Sequence, residues 1–193
     1  MKIGLDFHGV VVDSARMKAE RAPHYGKRLT RSMFLRNMAV GRGGNRLTIR
    51  QYRDLKIDVY WRPHIARQVM TPVQGAVSKI KRLLADGHEV VVISSSSRRH
   101  VKIARSWCNR IGLKQVEVIG IGMCEIDKSE AAQQRGLDVF VDNDPEKLRL
   151  LRHAVKKRFL FAEHNNEHVD LDGFAHRVTG WNELYEEIRK LNA

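Results

Sequence analysis

Cysteine is scarce in this chain. Cys108 and Cys124 are the only two among 193 residues, and they form no C-x-x-C pair. Neither a zinc knuckle nor a disulfide framework is implied, and a reducing cytoplasm is the expected compartment. Long apolar runs are missing too. None approaches the length of a membrane span, and the start Met1-Lys2-Ile3-Gly4 reads as a strand rather than a signal peptide. Internal repeats and low-complexity tracts are also absent. Acid is in deficit, with 22 Asp and Glu against 35 Lys and Arg, for a net charge of +13.

The excess charge is concentrated. Residues 15–69 hold 14 Lys and Arg against Glu20, Asp54 and Asp58, so eleven of the thirteen net charges lie there. Such a field attracts phosphorylated small molecules, nucleotides or nucleic acid; the plainer reading is a solvated face that aids solubility.

Residues 1–13 read as a strand and a turn. Residues 14–38 favour helix, broken at Pro23 and Gly26, and Val40 to Arg46 is a glycine-rich loop. Thr48 caps a second helix through about Trp61, stopped by Pro63. This block has no strong strand and reads as a small helical insertion. Beyond it, helix and strand alternate. Thr71 and Pro72 open a helix carrying Val73, Val77, Ile80 and Leu84, closed at Asp86-Gly87. Val90 to Ile93 is a wholly apolar strand, as expected when both faces are covered. Helices are expected over 98–111, 127–135, 146–155 and 181–191, and strands over 116–119, 139–141 and 158–161. That alternation predicts an α/β fold, a doubly wound parallel sheet.

Strand ends carry the chemistry. The first strand runs into Asp6, then His8 and Gly9; the strand at 139–141 runs into Asp142, Asn143 and Asp144. Taken alone, Asp6 is a nucleophile, a metal ligand, both, or only a turn residue. A third strand ends in Ser94 to Ser97, and one helix begins at Lys128. In a parallel sheet these ends share one edge. Converging carboxylates repel unless a cation lies between them. Mg²⁺ accepts one or two carboxylates together with waters and a substrate phosphate. Lysine and serine hold phosphate oxygens, and an aspartate facing phosphorus can attack it, giving an aspartyl-phosphate that water hydrolyses.

These four motifs, in this order, resemble the haloacid dehalogenase-like superfamily, whose members are mostly Mg²⁺-dependent phosphatases. They are Ile3-Gly4-Leu5-Asp6-Phe7-His8-Gly9-Val10, Val91-Val92-Ile93-Ser94, Lys128, and Val139-Phe140-Val141-Asp142-Asn143-Asp144. The run Thr179-Gly180-Trp181-Asn182-Glu183-Leu184 is similar to its nucleotidase-like branch. The resemblance implies a Rossmann-type core over residues 1–13 and 70–193, with a basic helical cap at 14–69. It implies Asp6 as nucleophile. Asp6, Asp142 and the His8 carbonyl become Mg²⁺ ligands, with Asp144 or Asn143 orienting the metal or its waters. It further implies Ser94, Ser95, Gly9 and Lys128 around the phosphoryl group.

The chain departs from the pattern at His8, where the superfamily places an aspartate as general acid. An imidazole with an unperturbed pKa near 6.5 can donate and accept a proton. Alternatively the enzyme is slow or needs an acidic leaving group, or the scaffold is catalytically idle and binds nucleic acid through its basic segment. Other candidates fall away. Gly122 to Ser129 lacks the second glycine of a P-loop, His164 and His168 flank a loop, and no G-x-S-x-G elbow surrounds Ser94. Tyr60 and Trp61 beside Arg62 either stack on a base or pack internally.

Overall fold

The computed structural model describes residues 1–122 and 125–191. Its six strands are β1 (Lys2–Leu5), β2 (Glu89–Ser94), β3 (Glu117–Gly120), β4 (Val139–Asp142), β5 (Lys157–Phe161) and β6 (His176–Val178). They form one sheet in the order β3-β2-β1-β4-β5-β6, with every neighbouring pair parallel. The doubly wound parallel sheet expected from the alternating pattern is therefore present. The three residues of β6 carry too short a pattern to stand out in sequence.

Alternation along β2 explains why its run is wholly apolar. Val90 and Val92 join one core cluster, while Val91 and Ile93 join a second on the opposite face. The two layers of helix take up both faces, and Val90 to Ile93 are buried on either side; only Glu89 at the start of the strand is exposed. Gly4 in β1 allows a close approach, because a Cβ there would stand 2.4 Å from the Phe140 ring.

Between β1 and β2 the chain forms α1 (Ser14–Arg21), α2 (Arg31–Leu35), α3 (Ile49–Trp61), α4 (Pro63–Val69) and α5 (Ala76–Ala85). Thr48 caps α3 as expected, in a capping box with Gln51. Pro63 ends α3 but also opens α4, since a proline lacks only an N–H that a first helical turn cannot use. The helix expected from Thr71 starts later, at Ala76. Pro72 instead forms an antiparallel bridge with Val12, and Gly75 takes the left-handed cap position. Residues of the helical block, among them Met17, Phe34, Leu55 and Val59, join the larger core cluster. Asp58 ties the block internally. Its buried carboxylate accepts Arg21 Nε at 2.7 Å and Tyr25 Oη at 2.9 Å, with Arg62 at 3.0 Å.

The remaining helices are α6 (Arg98–Arg110), α7 (Ser129–Arg135), α8 (Pro145–Leu150) and α9 (Trp181–Lys190). The helix expected over 146–155 gives way after Leu150 to a 3₁₀ turn at 151–153. Among the described residues no helix is long and apolar enough to cross a membrane. Cys108 is buried; Cys124 and Met123, within the P-loop-like run, lie outside the described residues.

Candidate active site

Chain order reverses around β1. The chain passes from β1 to β2 and β3 on one side, then crosses to β4 on the other. Ligands of open α/β sheets bind outside the carboxyl ends of the strands at such a switch point. Asp6 directly follows β1, with its amide donating to the Val141 carbonyl at 2.8 Å, and Asp142 is the last residue of β4.

Lys128 lies between them. Its Nζ donates to Asp6 Oδ1 at 2.5 Å and to Asp142 Oδ2 at 2.7 Å, and the lysine has no exposed surface. The two carboxylates therefore share one ammonium. Burial alone would push the Lys128 pKa down, but Asp142 and Asp6 outweigh it and hold the pKa above the ordinary lysine value. Complete burial raises the Asp142 pKa, and the neighbouring Asp6 adds to this against the pull of Lys128. Asp142 Oδ1 accepts the Asp144 amide at 3.0 Å. Asp6 Oδ2 meets no protein donor among the described residues, and Asp6 lines a cavity of about 440 Å³.

That cavity is otherwise walled by His8, Ser94, Ser95, Asn143, Asp144 and Lys147, with Asn165 and Asn166 beyond. Lys128 does not line it, being occupied by the carboxylates. The cation that does line it is Lys147, which sequence reasoning missed; its signal was only a position in the first turns of the helix after Asp144. Gly9 is placed by geometry rather than by a free donor. Its φ is +98°, its amide donates to the Val12 carbonyl at 2.8 Å, and a Cβ would strike the Asn143 side chain at 2.2 Å. Its amide is thus committed to the turn that follows β1. Asp144 is partly committed too. Its Oδ1 caps α8 through the Glu146 amide at 3.0 Å, and Lys147 lies 3.6 Å from its other oxygen. Asn143 donates to Glu163 Oε2 at 2.9 Å, and burial raises the Glu163 pKa.

Among the described residues, no group of three or more His, Cys, Asp and Glu side chains gathers as a metal cage. Asp144 and the His8 ring do not join Asp6 and Asp142. The pair nevertheless fits Mg²⁺, which needs only one or two carboxylates when waters and a substrate phosphate complete its shell. Asp6 is the member of the pair that lines the cavity, and Asp142 is buried behind it with its two oxygens accepting from Lys128 and the Asp144 amide.

His8 differs from expectation. Its ring nitrogens are buried, and the ring stacks on His100 with centroids 4.9 Å apart and 6° between planes and meets Tyr60 edge-on at 4.8 Å. Neither ring nitrogen has a partner. Burial, followed by His100 and the lysines Lys18, Lys147 and Lys128, pushes its pKa well below 6.5. Burial thus disfavours the protonated ring. A second cavity of about 490 Å³ adjoins the first through His8 and Ser95. Tyr60, Trp61, Lys56 and Arg53 of α3 line it opposite His100. Tyr60 and Trp61 are thus at a cavity wall rather than wholly internal. His100 escaped sequence analysis because nothing in its neighbourhood distinguishes it from a helix-face residue.

The sequence model of the family described as 5' nucleotidase, deoxy (pyrimidine), cytosolic type C protein (NT5C) matches residues 1–193. A Bacillus cereus protein named "Putative nucleotidase" is 26% identical over 121 residues; the match covers 62% of this chain and 62% of that relative's length. Two solved structures share the fold. A HAD family hydrolase from Deinococcus radiodurans R1, with bound phosphate and sodium, is 18% identical, covering 99% of this chain and 96% of that one at a TM-score of 0.64. A HAD-superfamily hydrolase from Ehrlichia chaffeensis is 11% identical, covering 100% and 97% at a TM-score of 0.56. Strand ends that bring Asp6, Lys128 and Asp142 together, on a sheet of this order, agree with the match across the whole length: the chain belongs to the NT5C nucleotidase family, on the haloacid dehalogenase-like fold.

Proposed function

We propose that this chain is a phosphomonoester hydrolase that works through an aspartyl-phosphate on Asp6, with a nucleotide or another phosphorylated small molecule as substrate. The observation that carries the reading is the shared ammonium of Lys128 between Asp6 and Asp142, next to a cavity where one Asp6 oxygen is unpartnered. Lys128 offsets carboxylate charge that would otherwise repel a dianion. Asp6, Asp142 and the His8 carbonyl would hold Mg²⁺, which supplies further positive charge at the phosphoryl group. Asp144 and Asn143 stand just behind as orienting groups. Ser94, Ser95 and Lys147 are the donors facing the phosphoryl oxygens.

Asp6 attacks phosphorus, and the leaving alkoxide takes its proton from water. A second water then attacks phosphorus in the aspartyl-phosphate, breaking its P–O bond to Asp6; the carboxylate is regenerated and the water's proton leaves with the phosphate or passes to solvent. On this scheme the first step favours leaving groups of low pKa. The helical block at 14–69 acts as a cap over the core of 1–13 and 70–193, and its excess positive charge draws anionic substrates to the cleft.

The test is phosphate release from nucleoside monophosphates, sugar phosphates and 4-nitrophenyl phosphate, with Mg²⁺ or with chelator. Turnover should need the metal and vanish in Asp6→Asn. Equal turnover in that variant removes Asp6 as nucleophile.

A further inference from the structure

A continuous run of buried polar side chains follows β2. Ser94 Oγ lies 2.8 Å from Ser96 Oγ, which lies 2.8 Å from His100 Nδ1. All three residues are buried. The backbone fixes them. The Ser94 carbonyl accepts the Ser96 amide at 2.8 Å and the Ile121 amide at 3.1 Å, and Ser97 caps α6 through the His100 amide. The His100 ring is clamped by the His8 stack and by the edge-on ring of Phe7. Its Nε2 has no partner.

Proton placement in this chain has two polarities, and only one suits an anion. A phosphoryl oxygen can only accept, so Ser94 serves it only with its single hydroxyl proton turned to the cavity. Ser94 Oγ must then accept from Ser96, and Ser96 must accept Nδ1–H from His100. The opposite polarity turns a Ser94 lone pair toward the anion. It also puts the ring proton on Nε2, where a buried N–H finds no acceptor, a costly orphan. Both considerations select the same tautomer.

We propose that His100 is a positioning residue for the phosphoryl group: its Nδ1–H, relayed through Ser96, fixes the Ser94 hydroxyl as a donor to substrate. The proposal rests on the reading of Ser94 as a phosphoryl contact. His100 itself touches no reacting atom.

The amide of an asparagine stands near where Nδ1 of histidine stands, whereas that of a glutamine stands near Nε2. His100→Asn should therefore keep the donor to Ser96, while His100→Gln and His100→Phe lose it. The probe is inorganic phosphate, as a competitive inhibitor of turnover and as a ligand in calorimetry, with circular dichroism confirming the fold of each variant. Phosphate binding and kcat/KM should weaken about five- to tenfold in His100→Gln, His100→Phe and Ser96→Ala, the scale of one lost hydrogen bond. In His100→Asn they should stay within about twofold. Unchanged phosphate binding in folded His100→Phe overturns the proposal. So does an equal loss in His100→Asn, which would make ring packing the cause. If the natural chain binds phosphate yet hydrolyses no ester, the phosphatase reading falls while the relay still stands or falls by the calorimetry.

Discussion

Replacing Lys128 with methionine removes the one charge that the two strand-end carboxylates share and leaves a side chain of similar length. Lys128 has no exposed surface and Asp142 none, so water cannot take over the lost interaction. Removing one partner from a buried ion pair costs about 3–5 kcal/mol, mostly because the remaining charge stays uncompensated. That cost has a pH signature. Asp142 is already raised above the ordinary aspartate value by burial and by Asp6, and loss of Lys128 removes its main opposing influence. A folded-state pKa raised above the unfolded value means the native state binds the extra proton. Stability of Lys128→Met should therefore match the natural chain most closely at acid pH, where the carboxyl is protonated, and the gap should widen as pH rises. Urea denaturation at pH 5 and pH 8 measures this. Adding Asp142→Asn should recover most of the loss, because the uncompensated charge then disappears. A Lys128→Met chain within about 1 kcal/mol of the natural one at pH 8 would refute the reasoning.

Burial pushes His100 from 6.5 to about 4. The unfolded chain then binds the proton that the native state refuses, so stability is full above pH 6.5 and falls toward pH 4. This one ring contributes about 3 kcal/mol to that fall; urea curves across the window should be flatter for His100→Phe. His8→Asp should raise kcat on alkyl phosphomonoesters more than on 4-nitrophenyl phosphate, because it restores a proton donor where the leaving group is poor; an equal change on both esters would dismiss the scheme in which the leaving group takes its proton from water. Asp58→Asn leaves Arg21 and Arg62 without their shared carboxylate and should cost about 3 kcal/mol, with hydrogen exchange rising first in residues 14–69. Exchange that rises evenly through the chain would show that Asp58 does not hold the block together.

The sheet was legible because its signals are local and strong. Val90 to Ile93 is apolar at every position, which only a strand covered on both faces tolerates. The Thr48 cap and the ends at Asp86-Gly87 and Gly112 were read from residue type alone. Pro63 was read as a stop and proved to be a start as well, because the same missing N–H suits either position. Pro72 was read as a helix start, and tertiary pairing with Val12 claimed it first. Within the site, Asp6, Ser94 and Asp142 stood out because strand ends are punctuated by polar residues, and Lys128 because it opens a helix at its place in the motif order. Lys147 and His100 did not, since a lysine or histidine on an amphipathic helix carries no mark of which neighbour it meets.

Sequence by itself determined the alternation of strand and helix, the order of the four motifs and the basic character of residues 14–69. These depend on side-chain type and spacing, which the chain carries wherever it goes. Only the tertiary structure decided that Lys128 serves the two carboxylates rather than the cavity, that the His8 ring packs between His100 and Tyr60, and that Ser94 connects through Ser96 to His100. Those outcomes depend on burial and on partners far apart in the chain. Asp6 and Lys128 are separated by 122 residues, and no local pattern encodes a 2.5 Å contact across that distance.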